Sequence, residues 1–113
     1  MDGLPALSFV YVTAGSKADA LAMGRVLVEE RLAACINVFE RMTSVYHWQN
    51  AIEESQEAVL IAKTRTSLVP AVAERIKSLH SYTCPCVVSW PLQDGNPDYL
   101  QWLAAETRGN EDG

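Results

Sequence analysis

Glu57-Ala58-Val59-Leu60-Ile61-Ala62-Lys63-Thr64 decides the architecture. Ala58, Leu60, Ala62 and Thr64 alternate with Val59, Ile61, Lys63 and Arg65, and both sets begin apolar. A run this short and this rich in β-branched residues reads as a strand whose two faces are both to be covered. The residues before it explain one neighbour. Cys35-Ile36-Asn37-Val38-Phe39 reads as a strand, is interrupted around Glu40-Arg41, and resumes as Thr43-Ser44-Val45-Tyr46-His47-Trp48. Gln49-Asn50-Ala51 can turn the chain, so the two strands form a long hairpin.

Further out, Ser8 to Thr13 (SFVYVT) is a first strand, broken by Ala14-Gly15. Ser16 offers a hydroxyl N-cap, and Ala20, Leu21, Gly24, Leu27, Val28 and Leu32 predict a helix to about Ala33. Downstream, Ser67 is the expected N-cap of a second helix, with Pro70 in its first turn and a stripe of Leu68, Val72, Ile76 and Leu79 running to near His80. Cys86 to Trp90 is a fourth strand, and Asn96-Pro97 opens a short terminal helix with Tyr99, Leu100 and Leu103 on its apolar side. Arg108 to Gly113 is polar and expected to fray.

The order β-α-β-β-α-β plus a helix predicts an α+β, ferredoxin-like sandwich, with both crossover helices on one face of a four-stranded sheet and the fourth strand beside the first. One domain spans 1–113, with 7–106 as its ordered core. The other sheet face is apolar too, and the simplest cover is another copy of the chain.

Composition narrows the function classes. The chain has 113 residues, 49% apolar and 20% charged, enough apolar side chain for a packed core. A net charge of −5 and scattered basic residues leave no footprint for nucleic acid. No apolar stretch reaches the roughly 20 residues that span a bilayer. The opening Met1-Asp2-Gly3-Leu4-Pro5 has no secretory pattern, and three cysteines make no disulfide framework. A cytoplasmic location is expected, with no membrane partner.

Five segments in order carry a family likeness: Ala33-Ala34-Cys35-Ile36-Asn37-Val38; Ser44-Val45-Tyr46-His47-Trp48; Glu57 with Ile61-Ala62-Lys63-Thr64; His80-x-Tyr82-x-x-Pro85; and Tyr99-Leu100-x-Trp102. Together, over Val10 to about Ala105, they resemble the CutA divalent-cation-tolerance family. The resemblance implies a homotrimer, similar in assembly to PII-type signalling proteins, and a link to copper and other divalent ions. It makes Cys35 a candidate soft-metal ligand and Lys63 a cation aimed into a cleft, able to pair with Glu57 or attract an anion. One segment departs from the pattern. Where the family reads His-Pro-Tyr-Glu-x-Pro-Glu, this chain has His80-Ser81-Tyr82-Thr83-Cys84-Pro85-Cys86, and both carboxylates are gone.

The sulfurs of Cys84 and Cys86, two residues apart, can converge on a soft ion, with His80 as a further ligand. Oxygen-seeking ions such as Mg(II) and Ca(II) lose their ligands there. The other reading is that Cys84 packs as a small apolar residue and Cys86 is incidental. The candidate metal set is therefore Cys35, His80, Cys84 and Cys86; the candidate ligand cleft is Lys63, Tyr82, Glu57 and Trp48; Tyr46, Trp48 and Trp102 are the candidate oligomer contacts. No Gly-rich phosphate loop, HExxH or CxxC marks an enzyme; a Cys35/His80 pair, or Cys86 as a nucleophile, is the catalytic reading left open. The leading expectation is a non-enzymatic trimer, with no obligatory cofactor, binding metal ions such as copper or a small ligand at inter-subunit clefts. The alternative is a PII-like small-molecule sensor with incidental metal binding.

Overall fold

A computed structural model describes residues 3–108. The order is β1 (Leu7–Ala14), α1 (Lys17–Glu29), β2 (Cys35–Trp48), β3 (Ala51–Arg65), a 3-10 turn (Thr66–Leu68), α2 (Val69–Leu79), β4 (Val87–Pro91) and α3 (Pro97–Ala105). The four strands form one sheet in the order β2-β3-β1-β4. All neighbours are antiparallel, and β4 lies beside β1 as expected. The expected fraying tail, Arg108 apart, lies outside the described residues.

The core sits between the sheet and α1 and α2. Val10, Val12 and Ala14 of β1 and Ala58, Leu60 and Ala62 of β3 meet Ala20, Met23 and Leu27 of α1 and Val72 and Ile76 of α2. The helix seating is close at Gly24, where an added Cβ would come 2.8 Å from Ile36 Cδ1 and 3.2 Å from Leu60 Cδ1. Gly24→Val should cost about 1–3 kcal/mol through overpacking, read as a lower urea midpoint with an unchanged slope.

Two caps stand as expected: Ser16 accepts from the Asp19 amide at 3.1 Å, and Asn96 accepts from the Asp98 amide at 3.1 Å. Other boundaries differ. α1 ends at Glu29 rather than near Ala33, because Arg31 takes φ 62°. The Arg31 and Leu32 amides then bond back to Val28 and Leu27 carbonyls, which closes the helix as a Schellman turn. Ser67 does not cap α2; it lies inside the 3-10 turn that leads into the helix. β3 begins at Ala51, six residues before the expected start at Glu57. Gln49 (φ 51°) and Asn50 (φ 66°) form a two-residue left-handed turn between the paired Trp48 and Ala51, so the polar stretch Ile52–Gln56 is held in register.

The interruption at Glu40-Arg41 is a β-bulge. From Phe39 to Met42 β2 advances three residues while β3, from Val59 to Glu57, advances two. Arg41 takes φ 64° there. The extra residue reverses the parity of β2, so Phe39 and Met42 share a face and Ser44, Tyr46 and Trp48 follow on it. Beyond the bulge the hairpin runs free of β1, projecting roughly 20 Å and giving a molecule 48 Å long.

On the face away from α1 and α2 lie Phe9, Tyr11, Val59, Ile61, Phe39, Val88 and Trp90. α3 covers one end of it, where Leu100, Leu103 and Ala104 pack on Leu7. Among the described residues no helix covers the rest: Val59 is buried among its neighbours, but Phe39 and Val88 are each more than half exposed.

Candidate functional site

The bare face ends in a cleft of about 440 Å³ lined by both strands of the hairpin. Tyr46 and Trp48 reach it because of the bulge parity, Ser55 and Glu57 by alternation on β3, and Thr13 from β1. The fourth wall is the segment after α2, with Tyr82, Thr83, Cys84 and Cys86.

His80 holds that wall in place. Its Nε2 lies 2.7 Å from the Thr13 carbonyl, which can only accept, so Nε2 carries the proton. Its Nδ1 accepts from the Tyr82 amide at 3.0 Å. The two rings lie 4.5 Å apart. Both nitrogens are thus committed to backbone groups, and no lone pair is left for a metal. The sequence places His80 among the metal ligands; in this arrangement it is a strut instead. Tyr82 in turn donates its hydroxyl to Glu57 Oε2 at 2.9 Å. Burial, then the Glu57 hydrogen bond and charge, push the Tyr82 phenol up to about 12, so it stays a donor at neutral pH.

Of the four expected cleft residues, Glu57, Tyr82 and Trp48 meet here and Lys63 does not. Lys63 lies six residues from Glu57 along β3, roughly 20 Å away, so the two cannot pair within one chain. Its ammonium donates to the Tyr99 hydroxyl at 3.2 Å and sits 5.3 Å from the Phe9 ring centre. Cys35 is its cross-strand partner at that same far end, with Sγ 3.7 Å from the Ile36 carbonyl. Cys35 therefore joins neither Cys84 and Cys86 nor His80: Thr13, which His80 grips, pairs with Val59, four residues or roughly 13 Å along β3 from the partner of Cys35. Among the described residues, no three His, Cys, Asp or Glu side chains gather into a set that could hold a metal ion. Trp102 is exposed on α3, its ring 5.6 Å from that of Tyr99, while Tyr46 and Trp48 are exposed on the hairpin.

Thr13 and Ser55 escaped sequence reasoning, because small hydroxyl residues on strands carry no signal of their own. Counting by twos from Glu57 finds Ser55.

All three cysteines are free, and Cys84 and Cys86 are exposed, so neither fills a core position. Burial, with the Glu57 charge second, pushes the Cys86 thiol above its ordinary range. That is the reverse of an activated nucleophile. Iodoacetamide should therefore label Cys86 more slowly at pH 7 than it labels a free cysteine. Glu57→Gln should speed labelling by a few-fold only, since burial remains; tryptic mass spectrometry reads both.

The model of the CutA1 divalent ion tolerance protein family matches residues 8–106. The Divalent-cation tolerance protein CutA of Thermus thermophilus is 45% identical over 98 residues, 87% of this chain and 95% of that protein. Protein CutA of Mus musculus is 41% identical over 86% of this chain, which spans only 55% of the mouse protein. The crystal structure of CutA1 from Oryza sativa superposes with a TM-score of 0.91 at 37% identity, over 93% of this chain and 96% of that one. The Thermus thermophilus structure gives 0.88 at 43% identity, over 90% and 99%. With the match running from β1 to the end of α3, the chain belongs to the CutA1 divalent ion tolerance family.

Proposed function

We propose that this chain is the ferredoxin-like subunit of a cytoplasmic homotrimer that confers tolerance to divalent cations by binding metal ions, copper among them, or a small ligand in the cleft between subunits, without catalysing a reaction. One observation carries the reading: the cleft opens at the margin of an uncovered apolar sheet face. A second copy laid on that face would bury Val88, Trp90 and Phe39 and add a further wall to the cleft. The names of the Thermus thermophilus and Archaeoglobus fulgidus relatives support the link to divalent cations. The free, exposed thiols fit a reducing compartment. The cleft supplies carboxylate, hydroxyl, aromatic and thiol groups, a donor set suited to holding a cation or a small polar ligand. A sensor of the PII kind would want a basic cleft around Lys63, and Lys63 is held at the other end of the sheet.

Light scattering on the reduced protein should give the mass of three chains at micromolar concentration. Equilibrium dialysis against a panel of metal ions and metabolites should show saturable binding that Trp48→Asp weakens. A monomer of micromolar stability, or a trimer that binds nothing in the panel, would overturn the reading.

A further inference from the structure

Two free cysteines line one cleft with a single proline between them, and no packing role accounts for either. The absence of a three-ligand cluster among the described residues restricts what they can hold. Zn(II) in proteins takes about four ligands, three of them from side chains even in open sites. Ca(II) and Mg(II) want about six or more oxygens. His80 adds nothing, with both ring nitrogens bonded to backbone. What remains is an ion content with two sulfurs. Soft thiolates select such ions, Cu(I) before all hard divalent ones.

The geometry permits it. Cα atoms two residues apart lie within about 7 Å, and two cysteine arms folding toward one cleft close that span to the roughly 4.5 Å of two metal–sulfur bonds end to end. Pro85 fixes one backbone torsion between the arms, so less freedom is lost on binding. The Tyr82–Glu57 hydrogen bond and the His80 strut hold the segment against the sheet. The Glu57 carboxylate adds a negative field that draws a cation in.

We propose that Cys84 and Cys86 form a two-sulfur site for a soft monovalent ion, Cu(I) or Ag(I), bound between the two thiolates. The inference rests on the cleft being a binding surface, and it names the class of ion that this chain takes there.

The test is an anaerobic titration of the reduced full chain with Cu(I) in competition with a chromophoric Cu(I) chelator. The parent should bind one ion per chain. Cys84→Ser and Cys86→Ser should each weaken binding by more than about a hundredfold, beyond the tenfold to hundredfold typical of losing a supporting residue. Cys35→Ser should leave it unchanged. X-ray absorption of the loaded parent should show two sulfur neighbours. Because both thiols are exposed, the serine variants should keep the parent melting temperature. A double Cys84→Ser/Cys86→Ser variant with parent affinity, a parent that binds no Cu(I), or loss of binding in Cys35→Ser would each overturn the proposal. Light scattering on the same samples separates it from the trimer reading. A monomer that binds Cu(I) through the pair keeps the site and loses the trimer; a trimer whose double variant binds like the parent keeps the trimer and loses the site.

Discussion

Replacing Leu60 by alanine is expected to remove about 2–5 kcal/mol of stability, the cost of a large-to-small change at a site that cannot collapse. Leu60 is fully buried in the middle of β3. It pairs with Val12 on one side and Val38 on the other, and its Cδ1 lies 3.2 Å from where a Cβ on Gly24 would stand. Both flanking strands are pinned by their own ladders, and α1 already touches the sheet, so the void has few ways to close. A domain of this size has only about 5–15 kcal/mol in total, so the variant loses a large share of it. Urea unfolding followed by circular dichroism measures the change. Leu60→Met keeps the volume and should cost less than about 1.5 kcal/mol. Equal midpoints for the alanine variant and the parent would mean that the sheet and α1 are not packed as described.

The same strand shows how much the sequence disclosed. Its two-sided apolar pattern is local information, and it announces both the helix-covered face and the bare one. The caps at Ser16 and Asn96 are equally local: one side chain, one amide, and a spacing the chain dictates. The boundaries that moved depend on backbone choices that composition does not encode. Apolar periodicity carries on through Leu32, yet α1 stops because Arg31 adopts a left-handed conformation that any sequence reader reserves for glycine or asparagine. The first six residues of β3 are mostly polar, and they are a strand only because the turn at Gln49-Asn50 aligns them with β2.

The cleft was half legible for a related reason. Family likeness puts Glu57, Tyr82 and Trp48 among the residues to watch, thiol chemistry adds Cys84 and Cys86, and the fold brings all five together. Family likeness also singles out Cys35 as a metal ligand, Lys63 for the cleft and Trp102 as an oligomer contact, and these lie on other parts of the molecule. Order along a chain does not say which end of a strand faces which loop; the antiparallel register does. The bulge matters as much, since without its extra residue Tyr46 and Trp48 would point to the opposite face of the hairpin. For His80, chemistry alone points to a ligand, an imidazole near two thiols, but its two nitrogens are bonded to the Thr13 carbonyl and the Tyr82 amide.

Val88→Asp should convert the proposed trimer to single chains at micromolar concentration while leaving each chain folded. Val88 pairs with Tyr11 on the bare face and is 54% exposed in one chain, beside Trp90. An aspartate there stays in water when the chain is alone, so its cost to folding is about that of a surface change on a strand, within roughly 1 kcal/mol. In an assembly that covers the face, each copy would carry a carboxylate into apolar contact with no partner, at a cost of several kcal/mol per chain. That penalty recurs in every subunit, so association weakens far more than folding does. Light scattering reads the mass and circular dichroism the fold, with Val88→Thr, close in shape and uncharged, as the control that keeps the parent mass. If Val88→Asp keeps three chains and Trp48→Asp breaks them apart, the copies are joined by their hairpins. The sheet face is then not the contact, and the cleft gains no wall from a neighbour.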